Sequence, residues 1–238
     1  MAAPTDAAWL VARFLPCTLF ALKVSSATSS VGRTLLVPTP YAIKMALVEA
    51  AFTAGLSWSD CAALLRALVP VPVRIGPPAR AVVSHTFLKI RQEPKMPDPA
   101  HRYISSVAYR EVVYHQGEWR WAFGVGDQPP ELAARLVLLL PYVRSIGRRG
   151  SFVQFVGIEW RDELDAGFTQ PAEHGALRMP LRGHIVPLDD LGPEADLATL
   201  SPYSPSRAVA GRHRIFVNTV VPLGVANAGP GFTEYRWE

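Results

Sequence analysis

Motifs that announce nucleotide, hydrolytic or redox chemistry are missing from this sequence of 238 residues. There is no GxxxxGKS/T phosphate loop, no GxGxxG turn, no GxSxG elbow, no HExxH and no CxxC. Phosphate cradling by a P-loop, covalent catalysis and zinc hydrolysis therefore have no local signature. The 6 histidines (His85, His101, His115, His174, His184 and His213) stand singly, so no metal and no other cofactor is expected. Cysteine is scarce: Cys17 and Cys61 lie far apart among apolar neighbours, which excludes a disulfide-stapled scaffold and suits free thiols in a reducing compartment. No uninterrupted apolar run approaches the roughly 18 residues of a membrane span. Arg13 and Pro16 break AAWLVARFLPCTLFAL, and no basic residue precedes that segment as a secretory leader requires. A cytoplasmic chain without membrane contact is expected.

Lysine is scarce too, at positions 23, 44, 89 and 95 only, so most of the 24 basic residues are arginine and the net charge is +4. Arginine is the better planar partner for phosphate and stacked bases. A GC-rich genome also enriches arginine codons, so position has to decide, not count. With 49% hydrophobic and 18% charged residues, the chain is too apolar for disorder and long enough for one large folded unit.

Along the chain, WLVARFL (9–15) reads as a strand and the Ser/Thr-rich 25–32 as a loop. PTPYAIKMALVEAAFTAG reads as a helix with Thr39 as cap, Pro40 at its first position and Gly55 at its left-handed end. Tyr41, Met45, Val48 and Phe52 have the spacing of a buried stripe. A shorter helix, 59–68, ends at the Pro-rich VPVPVRIGPP, which reads as extended but not as strand. ARAVVSHTFLKI (79–90) is a strand, 91–102 an insertion, and 105–125 a hairpin turning near Gln116-Gly117. WRW (119–121) reads as core packing, with both tryptophans on one strand face. Asp127 with Pro129 and Pro130 opens a helix, capped by its carboxylate, whose stripe is Leu132, Leu136, Leu139, Leu140 and Val143. SFVQFVGIEW (151–160) is a further strand.

This order predicts an α+β, ferredoxin-like (RRM-like, βαββαβ) antiparallel sheet over 1–160, with its central pairing from the hairpin. A C-terminal extension is expected over 161–238, in which only 212–223 reads as strand.

VRSIGRRGSFVQFVG is the most informative stretch: Arg144, Arg148 and Arg149 with Gly147 and Gly150 stand directly before an apolar run. Glycines let backbone N–H groups converge on an anion, and arginine bonds phosphate oxygens in a plane. An exposed turn that uses glycine for geometry and arginine for solubility has the same composition. Arg91, Lys95, His101, Arg102, Tyr103, Tyr109, Arg110 and Tyr114 interleave cations with aromatics in the insertion and hairpin, a mixture suited to stacking on bases. Alternation within a hairpin accounts for much of it without RNA.

The order of elements, the VPTPYAIKMALVEAAF segment, the insertion and the Gly-Arg loop together resemble the RAMP proteins of CRISPR systems, and among these the Cas-five family, over roughly residues 9–160. The resemblance implies a non-catalytic subunit of a Cascade-type, RNA-guided complex. Such a subunit holds the five-prime handle of the guide RNA, caps a filament of backbone subunits, sits beside the large subunit and meets target DNA only through the complex; a thumb-like insertion, here about 91–117, would fold over the RNA and touch the neighbouring subunit. The resemblance implies RNA contact by Gly147, Arg148, Arg149, Gly150 and Ser151, and from the placement of charge and aromatics Arg144, Arg91, Lys95 and Arg102, with Tyr41 and Lys44, are expected to join them. Some relatives cut precursor RNA with a metal-free Tyr/Lys/His site, for which Tyr41, Lys44 and His85 would be the counterparts, although no catalytic residue is assigned. An unrelated ferredoxin-like enzyme or small-molecule binder is the remaining alternative.

Overall fold

In the computed structural model, which describes residues 7–24, 31–94, 96, 102–147, 150–172, 183–201 and 203–237, WLVARFLP forms β1 (Trp9–Pro16). This strand is hydrogen-bonded on both sides, and Leu10, Val11, Ala12 and Phe14 are fully buried, as a central strand requires. After the short β2 (Val31–Gly32) comes α1 (Pro40–Thr53). Its cap is as read from sequence: Thr39 Oγ1 accepts the Ala42 amide at 3.1 Å, Pro40 occupies the first turn, and Gly55 takes φ +87°. Helix α2 (Trp58–Leu68) is capped by Ser57, whose Oγ accepts from the Asp60 amide at 3.2 Å.

The following segment departs from expectation. Pro-rich VPVPVRIGPP contains a strand, β3 (Val73–Gly76), whose one ladder neighbour among the described strands is β6 (Trp119–Gly124), its other edge meeting Thr169 at Ile75. Prolines flank a strand without harm when it lies at a sheet edge, where missing donors face no partner. Between these strands the chain makes a long excursion, β4 (Arg80–Gln92) and β5 (Ile104–Gln116), paired antiparallel along their whole length. The expected hairpin of 105–125 is thus corrected: β5 pairs with β4, not with β6. At Gly117, with φ +112°, the chain leaves one sheet and enters another. The excursion also begins at Arg80 rather than near 91.

Helix α3 (Pro130–Leu139) follows, tightening at Pro141 into a 3-10 turn over Leu140–Tyr142. Its stripe of Leu132, Leu136, Leu139, Leu140 and Val143 is buried as predicted, but Pro129 stands at the cap and Asp127 caps nothing. Strand β7 (Val153–Arg161) closes a sheet of order β3-β6-β1-β7, antiparallel throughout. Beneath it, Trp119 and Trp121 are wholly buried, Phe14 stacking on Trp121 at 4.1 Å and Phe20 meeting Trp119 at 4.4 Å.

The C-terminal part carries more strand than the sequence shows. Strands β8 (Gln170–Pro171), β9 (His184–Leu191) and β10 (Arg214–Val221) form a second sheet in the order β8-β10-β9, with the short helix α4 (Leu197–Leu200) between β9 and β10. Strands β11 (Gly224–Gly229) and β12 (Phe232–Arg236) extend a third sheet, ordered β11-β12-β4-β5-β2. Pro187 and the Asp pair in HIVPLDDL, and the glycines of GVANAG, mask these strands in the sequence. Leu188 and Leu191 of β9, Val221 of β10 and Leu223 between β10 and β11 belong to the same buried cluster as Leu10 and Phe14. The fold is mixed α+β with largely antiparallel sheets and few helices.

One buried polar group inside this core has a pH consequence. His115 Nε2 donates to the Leu36 carbonyl at 2.7 Å, its Nδ1 has no partner among the described residues, and Phe20 and Trp119 pack edge-on to the ring. Burial holds its pKa down at about 4 against an ordinary 6.5. The neutral ring is the folded form, so its contribution is complete above pH 6.5 and fades as pH falls toward 4. The loss is about 3 kcal/mol across that window. Urea melts at both ends of the window should show this, and His115→Gln should remove most of the difference; an equal acid loss in the variant would assign it elsewhere.

Candidate nucleic-acid interface

The loop between α3 and β7 is a tight turn. Val153 N donates to Arg144 O at 2.9 Å and Ile146 N to Ser151 O at 3.0 Å, and Ser145 bridges Phe152. Gly147 and Gly150 have φ of +70° and +93°, conformations that side chains resist. Thr18, just beyond β1, pins the turn from below: its Oγ1 donates to Gly150 O at 2.7 Å and accepts from Phe152 N at 3.0 Å. Arg144 is exposed, whereas Ser151 is buried and therefore removed from the candidate surface. Arg148 and Arg149 lie outside the described residues.

Gly147 borders a groove of about 710 Å³ whose wall is α1. The stripe Tyr41, Met45, Val48 and Phe52 faces this groove, while Ile43, Leu47 and Ala50 make the helix's core side. The expectation of a buried stripe holds in part: Val48 is in the core and Tyr41 and Met45 are half-buried against it, while Phe52 is 40% exposed at the groove. Trp58, Tyr203 and Leu22 complete an aromatic and apolar lining, Tyr203 being 92% exposed. Lys23 and Arg214 are matched in the lining by Glu49 and Asp189. The groove is close to neutral, suited to a planar apolar surface more than to a free phosphate.

Lys44 is also withdrawn from the surface. One helical turn from Tyr41, it is 0% exposed, pairs with Asp190 Oδ1 at 2.8 Å and donates to Val69 O at 3.3 Å. Burial pushes the ammonium below its ordinary pKa and the Asp190 carboxyl above its own, each opposed by the partner's charge. Beside this pair the Arg214 guanidinium bonds Asp189 and lies 4.3 Å from the Tyr41 ring centroid. Burial raises the Tyr41 phenol's pKa and Arg214 partly offsets it. Tyr41, Lys44 and His85 do not assemble: Tyr41 is capped by Arg214, Lys44 is bound to Asp190, and His85 on β4 bonds the Tyr109 hydroxyl beside Glu111.

Of the other predicted contacts, Arg91 on β4 and Arg102 beyond the hairpin end are exposed, Arg102 resting over Tyr103 at 5.7 Å, and neither lines the groove. Lys95 lies outside the described residues. Sequence reasoning missed Lys23, Trp58, Tyr203 and Arg214, which meet only through tertiary contacts. The aromatic of SPYSPS, a large ring in a turn-forming run, was the one local signal. Among the described residues no group of His, Cys, Asp and Glu side chains is gathered as metal ligands would be, and no helix is long and apolar enough to cross a membrane.

No protein-family model and no curated protein matches the chain. Among solved structures it is similar to one described as the crystal structure of a CRISPR protein from Archaeoglobus fulgidus, with a TM-score of 0.51 and 15% identity. The match covers 97% of this chain and 92% of that one. At this identity the likeness is one of fold.

Removing one half of a buried ion pair leaves the other charge uncompensated. Lys44→Met should therefore cost about 3 kcal/mol in a chemical melt, and Lys44→Met with Asp190→Leu should recover most of it. Additive losses in the double variant would show that the two side chains act independently.

Proposed function

We propose that this chain is a non-catalytic guide-RNA-binding and assembly subunit of a CRISPR Cascade-type complex, of the RAMP superfamily and Cas-five type. The observation that carries the reading is the likeness of fold, along nearly the whole of both chains, to a CRISPR protein. The order β1, α1, β3, β6, α3, β7 with the sheet order β3-β6-β1-β7 is read as the ferredoxin-like βαββαβ unit of that superfamily. The β4–β5 hairpin is its thumb.

The site chemistry supports the same reading. Gly147, at the start of the turn, borders a groove lined by Tyr41, Phe52, Trp58 and Tyr203. Phosphates of the five-prime handle run over the turn, where arginines and free backbone geometry receive them, and unstacked bases lie against the aromatic wall. The thumb reaches the neighbouring backbone subunit, the large subunit joins the same end, and target DNA is met through the assembled complex. The protein works in the cytoplasm.

Arg148→Ala with Arg149→Ala should weaken binding of repeat-derived RNA while leaving the thermal melt unchanged. The slope of log affinity against log salt should flatten by about 1–2, because each lost phosphate contact releases fewer counterions. The wild-type chain should copurify with RNA of repeat sequence. A chain that purifies free of RNA and binds it no better than the double variant would refute the reading, and a unique metal-independent cut in repeat RNA would replace it with the processing endoribonuclease.

A further inference from the structure

The third sheet offers a second surface that neither the turn nor the groove uses. Register fixes which residues share its outer face: Arg236 lies beside Arg80 and Gln116, Glu234 beside Val82 and Tyr114, Phe232 beside Ser84 and Val112. The alternate residues, Ala81, Val83, Val113 and His115, point into the core. The outer face is thus the side turned away from the body of the protein. Tyr114 is 54% exposed at its centre, and Ser84 is exposed beside it.

The charge on this face is one-sided. Along β12, β4 and β5 its residues include Arg80, Arg110 and Arg236 and a single carboxylate, Glu234. Arg80 Nε and Arg236 Nε both donate to the same Glu234 oxygen at 2.7 Å, and Arg80 Nη1 reaches Gln116 Oε1 at 3.2 Å. Two guanidinia held by one buried carboxylate are pre-oriented and keep a surplus positive charge. Arg110 is likewise placed: its side chain lies over Gly32 of β2, where a Cβ would come within 2.9 Å of Arg110 Cδ, and its Nη1 donates to Tyr109 O at 3.0 Å. An exposed aromatic ring among oriented arginines on an open antiparallel face is the arrangement that takes a base on the ring and phosphates on the cations. The nearest neighbours of Tyr114 on this face are the half-buried Val82 and Val112, with Gln116 beside it and Arg80 on the diagonal, which is a smaller apolar centre than a protein partner buries.

We infer that the outer face of this sheet is a second binding surface for single-stranded RNA, one base stacking on Tyr114 and the flanking phosphates meeting Arg80 and Arg236. The inference rests on the RNA-binding reading above and extends it to a separate face. Arg80 and Arg236 are poor probes, since removing either takes one of two donors from a buried carboxylate and releases the other guanidinium from its held position; Tyr114 and Ser84 are exposed and can be changed without that cost.

The test titrates a short fluorescein-labelled oligouridylate with full-length protein, by anisotropy, for wild type, Tyr114→Ala with Ser84→Glu, and Arg148→Ala with Arg149→Ala. Ultraviolet crosslinks to the same RNA are mapped in parallel. Tyr114→Ala with Ser84→Glu should lower affinity about ten-fold, as loss of one stacked base does, and crosslinks should fall in the β5 peptide that carries Tyr114. Unchanged affinity in this variant, with a loss in the turn variant, overturns the sheet-face site and leaves the guide-RNA reading intact. Absence of binding by the wild-type chain overturns both.

Discussion

The buried contact between Lys44 and Asp190 ties together parts of the chain far apart in sequence. An ammonium removed from water costs several kcal/mol, and it is tolerated at this depth only because a carboxylate and the Val69 carbonyl meet it directly. Apolar surfaces tolerate small slides; an ion pair does not. The pair therefore sets how β9 lies against α1, and the neighbouring Asp189–Arg214 contact sets how Arg214 covers Tyr41. Without this register the groove would have no second wall, since α1 supplies one side and Asp189, Leu197, Tyr203 and Arg214 the other.

The rest of the surface follows from where the core ends. Near the body, the inner face of β4 and β5 is covered by the core, but the two strands continue outward, leaving Phe87 and Val107 exposed. A two-stranded ribbon with apolar residues in water is marginal alone, so its distal half is suited to a partner, as the thumb of the proposed complex would have. Near the core the same strands gain β12 on one side and β2 on the other, and there the outer face carries arginine and tyrosine instead. Gly150 and Phe152, just before β7, are tied to the chain just beyond β1 by a different device, the Thr18 hydroxyl, which both donates and accepts.

Local physics made much of this visible before any coordinates. The caps of α1, the buried stripe of α3, the packing of Trp119 and Trp121 and the strands at β1, β4 and β7 all depend on residues within a few positions of one another. The errors have a common cause. Edge strand β3 was hidden by prolines that its position makes harmless, and β5 was assigned to the neighbour nearest in sequence. Lys44 was placed on the surface because its burial depends on a carboxylate more than half the chain away. Tyr41, Met45, Val48 and Phe52 were recognised as one helical face, but periodicity says only that residues share a face, not that its edge is left open to a groove as it is at Phe52.

The amino-acid order by itself therefore determined the helices, most strands, the glycine-dependent turn and the scarcity of any catalytic or metal-binding motif, because each rests on short-range sterics, hydrogen bonding and periodicity. Only the tertiary structure decided strand partners, the burial of Lys44 and Ser151, and the joining of α1 to residues 189–214 around a groove. Those outcomes turn on desolvation and charge pairing between distant segments, which sequence spacing does not encode.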